Sequence, residues 1–195
     1  MGPSDEREPF DSAIQALRSD GGVILYPTET VYGLGGRAAD GRSASRIGAI
    51  KGRGLRPLIV LLNAPPPDLP PLAAALGAAF WPGPLTLIVP AWDGLAPEIL
   101  GPEGTVGVRV SPHPVARALI QAVGPITSTS ANRHGDPPAR SLEGLALPVD
   151  AAIDVGALPP ASPSTLVDGR TGQILREGDL APEIRRLLAA GGFGA

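Results

Sequence analysis

The sequence has no cysteine, one lysine, one methionine, two histidines and only 4% aromatic residues. The lack of cysteine removes disulfides, thiolate nucleophiles and cysteine-ligated metals, and agrees with a reducing interior. His113 and His134 have no partner at ligand spacing, so a metal site built from protein side chains is not expected. Each histidine reads as a cap, loop or surface residue rather than a base. No apolar run approaches the ~18 residues that a membrane helix needs, and Met1 to Glu8 has no apolar core of a signal peptide. Cytoplasmic residence is the expectation. Also missing are a Gly-x-Ser-x-Gly elbow, a Walker lysine motif and a Gly-x-Gly-x-x-Gly after a strand. With a formal charge of −3 and a pI near 5.4, the chain lacks the overall basic balance of a general nucleic-acid binder.

Turn formers are abundant, with 26 glycines and 24 prolines, yet 43% of residues are hydrophobic and gather in spaced Val, Ile and Leu runs. That pattern fits one folded domain over residues 1–195 with many loops, not a disordered chain. Helices are predicted over 9–19, from a Ser43 cap to about Gly52, over 72–80, over 114–123, and after an Asp179 cap with Ile184, Leu187 and Leu188 inward. The 72–80 segment is nearly all apolar and is expected to be buried around most of its circumference. Strands are predicted at 23–26, 58–62 (covered on both faces), 85–89, 105–110, 149–155, 164–167 and 173–176, with a short one from Pro125 leading into a hydroxyl-rich turn. Five prolines within 64–71 mark an exposed connection. Strands interleaved with helices imply an α/β fold on one large, twisted, open mixed sheet.

The densest chemistry lies in Tyr26-Pro-Thr-Glu-Thr-Val-Tyr-Gly-Leu-Gly-Gly36, which follows the apolar run Val23 to Leu25. Backbone N–H groups near Gly33, Gly35 and Gly36 can approach an anion, because glycine has no Cβ. The same stretch also suits a strand-turn-strand corner whose threonines bond their own backbone. Downstream, Arg37, Arg42, Arg46, Lys51, Arg53 and Arg56 place six of the sixteen basic residues within twenty positions, opposed only by Asp40. They read as an anion-binding group or as a solvated face. In Thr105 to Val110 the alternation puts Thr105, Gly107 and Arg109 on one side, where the arginine can meet a carboxylate. The four hydroxyls at 127–130 can donate to phosphate oxygens or serve as edge and cap residues. Cations, hydroxyls and glycines favour positioning and charge stabilisation over covalent catalysis.

Seven ordered motifs, Pro27 to Gly35, Lys51-Gly-Arg53, Pro57-Leu-Ile-Val60, Trp81-Pro-Gly-Pro-Leu-Thr86, Thr105 to Arg109, Ser128-Thr-Ser-Ala-Asn132 and Ser164-Thr165, resemble the signatures of YrdC-type threonylcarbamoyl-AMP synthases. The match spans about residues 10–178, leaving 179–195 as a C-terminal helix and tail. The resemblance implies a YrdC-like domain with a large concave cavity, and an enzyme that joins L-threonine, bicarbonate or CO2, and ATP into threonylcarbamoyl-AMP with release of pyrophosphate. It implies Mg²⁺ with the ATP, a partner transferase that passes the group to tRNA, and weak tRNA binding. Lys51 and Arg53 are implied as catalytic and nucleotide-binding. Thr30, Arg109, Ser128 and Ser164 are implied on the threonine side, and Arg56, Thr105, Ser130, Asn132 and Arg176 on the nucleotide side.

Tyr32 and Trp81 fit pocket shaping, and Glu29 a structural hydrogen-bonding role. The chain departs from many relatives in its short Gly54-Leu55-Arg56 loop and in Leu61, which stands where they carry a histidine. It resembles the single-domain type. Two other readings are a carbamoyl-adenylate-forming module and an RNA-binding protein without catalysis.

Overall fold

The computed structural model describes residues 7–52, 54–133 and 135–191. Nine strands form one sheet in the order β7-β1-β2-β6-β3-β5-β4-β8-β9. They are β1 (Ile24–Pro27), β2 (Tyr32–Gly35), β3 (Ile59–Leu62), β4 (Leu85–Pro90), β5 (Thr105–Val110), β6 (Ile126–Ser130), β7 (Ala151–Ala152), β8 (Thr165–Asp168) and β9 (Ile174–Arg176). The sheet is mixed: β1 with β7, β3 with β5 and β4 with β8 run parallel, and the other neighbours antiparallel. Five helices flank it: α1 (Arg7–Arg18), α2 (Gly41–Ile50), α3 (Pro71–Phe80), α4 (Pro114–Val123) and α5 (Ala181–Ala190).

Period-two alternation sends each strand's side chains into two separate cores. Val23, Leu25, Val60, Leu62, Val106, Val108 and Val110 join Ile47 of α2, Leu76 of α3 and Ile184 of α5 on one face. Ile24, Tyr26, Leu61 and Ile126 meet Ala13 and Leu17 of α1 and Leu119 of α4 on the other. The expected two-sided cover of β3 is therefore present, with Leu61 on one side and Val60 and Leu62 on the other.

The second face is only partly covered, because α1 and α4 contact β1, β3, β6 and β7. Ile59 is in register with both Gly107 and Ser128, and Leu166 with Arg176. These residues share the face of α1 and α4 but lie past the two helices. The uncovered part of the face is the floor of the site.

Several sequence expectations need correction. Asp40, not Ser43, caps α2, its carboxylate accepting from the backbone N–H of Arg42 and Ser43; Ser43 instead donates to the Asp40 carbonyl. The predicted 149–155 strand shrinks to Ala151–Ala152. Helix α3 buries only Leu72, Ala73, Leu76 and Gly77, because small alanines on its other side can face water at little cost. Leu180, not Asp179, stands at the α5 N-terminus, with no side-chain cap. The hydroxyls at 127–130 lie within β6 rather than in a turn after it.

Candidate active site

A pocket of about 410 Å³ opens on the uncovered face. One wall is the β1–β2 hairpin, where the strand-turn-strand reading of the opening stretch holds. Thr28 does the architectural work: its hydroxyl donates to the Val31 carbonyl at 2.6 Å and accepts from the backbone N–H of Thr30 and Val31. That turn presents Thr30, Val31, Tyr32 and Gly33 to the cavity.

Gly35 and Gly36 serve packing, which corrects the expectation that their N–H groups meet an anion. A Cβ on Gly35 would lie 1.9 Å from the Thr127 carbonyl oxygen. The Gly36 N–H already donates to Thr127 Oγ1 at 3.0 Å. Of the three glycines, only Gly33 lines the pocket.

Lys51 follows the last turn of α2 and is 4% exposed. Its ammonium donates to the Ser130 carbonyl at 2.7 Å, the Asn132 carbonyl at 3.1 Å and Asn132 Oδ1 at 2.6 Å. Asn132 is fixed in turn by Ser130 Oγ, which donates to Oδ1 at 2.7 Å, and by its own amide on the Asp136 carbonyl at 2.5 Å. The ammonium is thus held by carbonyl and amide oxygens at this corner of the pocket.

Arg109 projects from β5 beneath the hairpin, 5% exposed. Its Nη1 donates to Thr30 Oγ1 at 3.4 Å. Across the floor, Arg176 of β9 donates to the Ser164 carbonyl at 3.0 Å and to Ser164 Oγ at 2.9 Å. Ser164 Oγ also shares a hydrogen bond of 2.7 Å with Thr86 Oγ1. Burial, and after it the charge of Arg109, hold Arg176 below the ordinary guanidinium value. The two cations therefore face a common space that favours an anion between them.

Eight of the residues expected at the site line this pocket together: Thr30, Lys51, Arg109, Ser128, Ser130, Asn132, Ser164 and Arg176. Two do not. Thr105 uses its hydroxyl on the Pro102 carbonyl at 2.8 Å at the start of β5, and Arg56 is exposed outside the lining. Arg53 and His134 lie outside the described residues. His113 is a cap, as expected, its Nδ1 accepting from Val115 N–H at 3.3 Å at the start of α4. Leu61 is fully buried in the α1–α4 core and does not reach the cavity.

Tyr32 lines the pocket, whereas Trp81 does not and donates to the Leu85 carbonyl at 2.8 Å. Sequence reasoning missed the apolar lining of Pro57, Ile59, Pro138, Pro163 and Leu166. Ile59 and Leu166 were accessible through strand register; the prolines carried no such signal.

The Sua5/YciO/YrdC family model, described as "Telomere recombination", matches residues 16–178. The chain belongs to this family. A "Threonylcarbamoyl-AMP synthase" of Coxiella burnetii (strain RSA 331 / Henzerling II) is 35% identical over 184 residues, covering 88% of this chain and 98% of that protein. The structure of P. abyssi Sua5 complexed with L-threonine is similar at a TM-score of 0.80 and 31% identity, over 96% of this chain and 58% of that one. E. coli YciO matches at a TM-score of 0.77 and 28% identity, over 91% of this chain and 93% of its own. The chain thus spans under two thirds of that Sua5 but nearly all of YciO and of the Coxiella protein. In this chain the twisted, open sheet of the family leaves part of one face uncovered by helices, and the pocket occupies that part.

No Asp or Glu stands among the lining residues, and no cluster of three or more His, Asp or Glu suited to a metal occurs among the described residues. The donor set therefore suits anions rather than a divalent cation. No helix of the described residues is long and apolar enough to cross a membrane.

Proposed function

We propose that this chain is an L-threonylcarbamoyladenylate synthase, a nucleotidyltransferase that forms threonylcarbamoyl-AMP and pyrophosphate from L-threonine, bicarbonate or CO2, and ATP. The observation that carries the reading is one pocket with a hydroxyl-flanked arginine, Arg109 beside Thr30, at one wall and the buried Lys51 ammonium at another. The first pair suits an amino-acid carboxylate and the second a phosphate. The family and the printed name of the Coxiella relative point to the same chemistry.

In this mechanism threonine's amine, unprotonated, forms an N–C bond with CO2 and loses its proton to water; from bicarbonate the same carbamate forms with loss of water. A carbamate oxygen then attacks the α-phosphorus of ATP. The P–O bond to the β-phosphate breaks, and its electron pair leaves with pyrophosphate. Three anions are brought together, so the chain's contribution is charge and position. Arg109 holds the carboxylate, while Lys51 and Arg176 offset repulsion along the phosphates. Ser128 supplies a short neutral donor between the two ends, while Ser130 and Ser164 line the space with hydroxyls already engaged by Asn132 and by Thr86 and Arg176. Mg²⁺ would enter with the ATP substrate and would supply further charge neutralisation at the phosphates. A downstream transferase would accept the mixed anhydride for tRNA modification, and cytoplasmic residence belongs to the same proposal.

The test is pyrophosphate release with threonine, bicarbonate and ATP each omitted in turn. Release that needs all three supports the reading, and release without threonine overturns it.

A further inference from the structure

Glu29 is the one residue of the Tyr26–Gly36 stretch whose charge has no place in the mechanism above. It does not line the pocket. Its side chain is only 15% exposed and sits behind Arg109, with Oε1 3.3 Å from Arg109 Nη1. The other oxygen, Oε2, accepts from Ser111 Oγ at 2.5 Å, and that hydroxyl in turn accepts from the His113 N–H at 3.2 Å. The carboxylate is therefore anchored to the end of β5 and the start of α4. Two side-chain atoms in this pair, Glu29 Oε1 and Arg109 Nε, are buried without a hydrogen bond of their own. Glu29 Oε1 and Arg109 Nη1 attract by charge at 3.3 Å rather than through a formed hydrogen bond.

From this geometry we infer that Glu29, aimed by Ser111, is a positioning residue that fixes Arg109 for the amino-acid carboxylate. A guanidinium this buried is costly without a counter-charge. Among the described residues, Glu29 is the carboxylate within salt-bridge range of Arg109. The nearby Arg176 cation repels Arg109 across the floor, and Thr30 supplies only a long 3.4 Å contact. Without Glu29 the guanidinium has little to keep it beneath the hairpin, and it turns away from the substrate end. The long, purely electrostatic contact also leaves Arg109 able to take up a second carboxylate, which a tight bidentate bridge to Glu29 would prevent.

The proposal rests on threonine being a substrate, and the experiment separates the two. In the wild-type protein, threonine-dependent pyrophosphate release and calorimetric titration with L-threonine alone establish the substrate; their failure sinks the functional reading. Given that baseline, Glu29→Gln keeps size and hydrogen-bonding capacity but removes the charge. Its KM for threonine should rise about tenfold or more, with KM for ATP within about twofold of wild type and a melting transition that is lower but still cooperative. Ser111→Ala keeps the charge but loses its aim, and should raise the threonine KM by a smaller factor. If Glu29→Gln does not fold, Ser111→Ala decides. A threonine KM that stays or falls in the variants, or an ATP KM that rises in step with it, overturns the proposal.

Discussion

Lys51 Nζ donates to Asn132 Oδ1 at 2.6 Å, tying the end of α2 to the loop after β6 across 81 residues of chain. The same bond leaves the only lysine of the chain fixed at the pocket wall, so the phosphate role proposed for its charge and the structural role of its hydrogen bonds fall on one side chain. Lys51→Ala should therefore do two things. It should cut pyrophosphate release at least about 100-fold, the scale seen when one preorganised electrostatic group is lost. It should also leave the buried acceptors of Ser130 and Asn132 short of a donor, at about 1–3 kcal/mol, read as a lower but cooperative thermal transition. A folded variant with wild-type turnover would refute the phosphate role.

Tyr32 ties the pocket wall to the segment that leads into its opposite side. Its hydroxyl lies 2.8 Å from the Gly156 carbonyl and 3.0 Å from Asp154 Oδ1, and it accepts from the Val155 N–H at 2.9 Å. Burial pushes its ionisation up, so it stays a neutral donor. Tyr32→Phe keeps the ring and removes the latch. The expected cost is about 1 kcal/mol of stability, with faster amide exchange confined to residues 154–158. Uniformly faster exchange across the sheet would show that the hydroxyl supports the fold as a whole rather than latching this one segment.

The period-two pattern of β5 assigned its faces from sequence, and the continuous apolar run of β3 its cover on both faces, because burial on both sides of a strand leaves few alternatives. Arg109 and Lys51 were legible for a related reason: an arginine alternating with valines and a single lysine are compositionally conspicuous. Less accessible were features set by distant partners. Asp40 outcompeted Ser43 as the α2 cap because its carboxylate also accepts from Gly21 N–H at 2.7 Å, a tertiary bond no local rule anticipates. The 149–155 strand is short because its sole strand partner is β1, over two residue pairs. The resemblance implied a nucleotide contact for Thr105, yet a neighbouring turn uses its hydroxyl. Motif resemblance identified the pocket residues but could not say that Glu29 stands behind Arg109.

Gly35 tests whether the second glycine of the hairpin serves the ligand or the fold. In β2 it pairs with Ile24 of β1, and an added Cβ would lie 1.9 Å from the Thr127 carbonyl oxygen and 3.1 Å from Tyr26 Cε1. Backbone cannot yield there without moving β6 off β2. Gly35→Ala should destabilise by about 1–3 kcal/mol or more, lowering the melting temperature by roughly 2–4 °C per kcal/mol. An unchanged melt with weakened ATP binding would instead place this glycine at the ligand.

Asp168 carries the clearest pH dependence of stability. Its carboxylate accepts from Arg170 Nε at 3.0 Å and Nη2 at 2.8 Å, and from the Arg170 backbone N–H at 2.9 Å, closing the β8–β9 turn. These bonds, the Arg170 side chain first, hold it below the ordinary carboxylate value against the opposing effect of burial. A depressed folded value means the unfolded chain takes up the proton first. The stabilisation is therefore complete above the unfolded value of about 4 and is lost as pH falls through the lower folded value. Asp168→Asn should be less stable than wild type in urea at pH 7, and the gap should close as the pH falls below about 4. A gap that stayed constant down to pH 2 would mean that the turn depends on the shape of the side chain rather than on its charge.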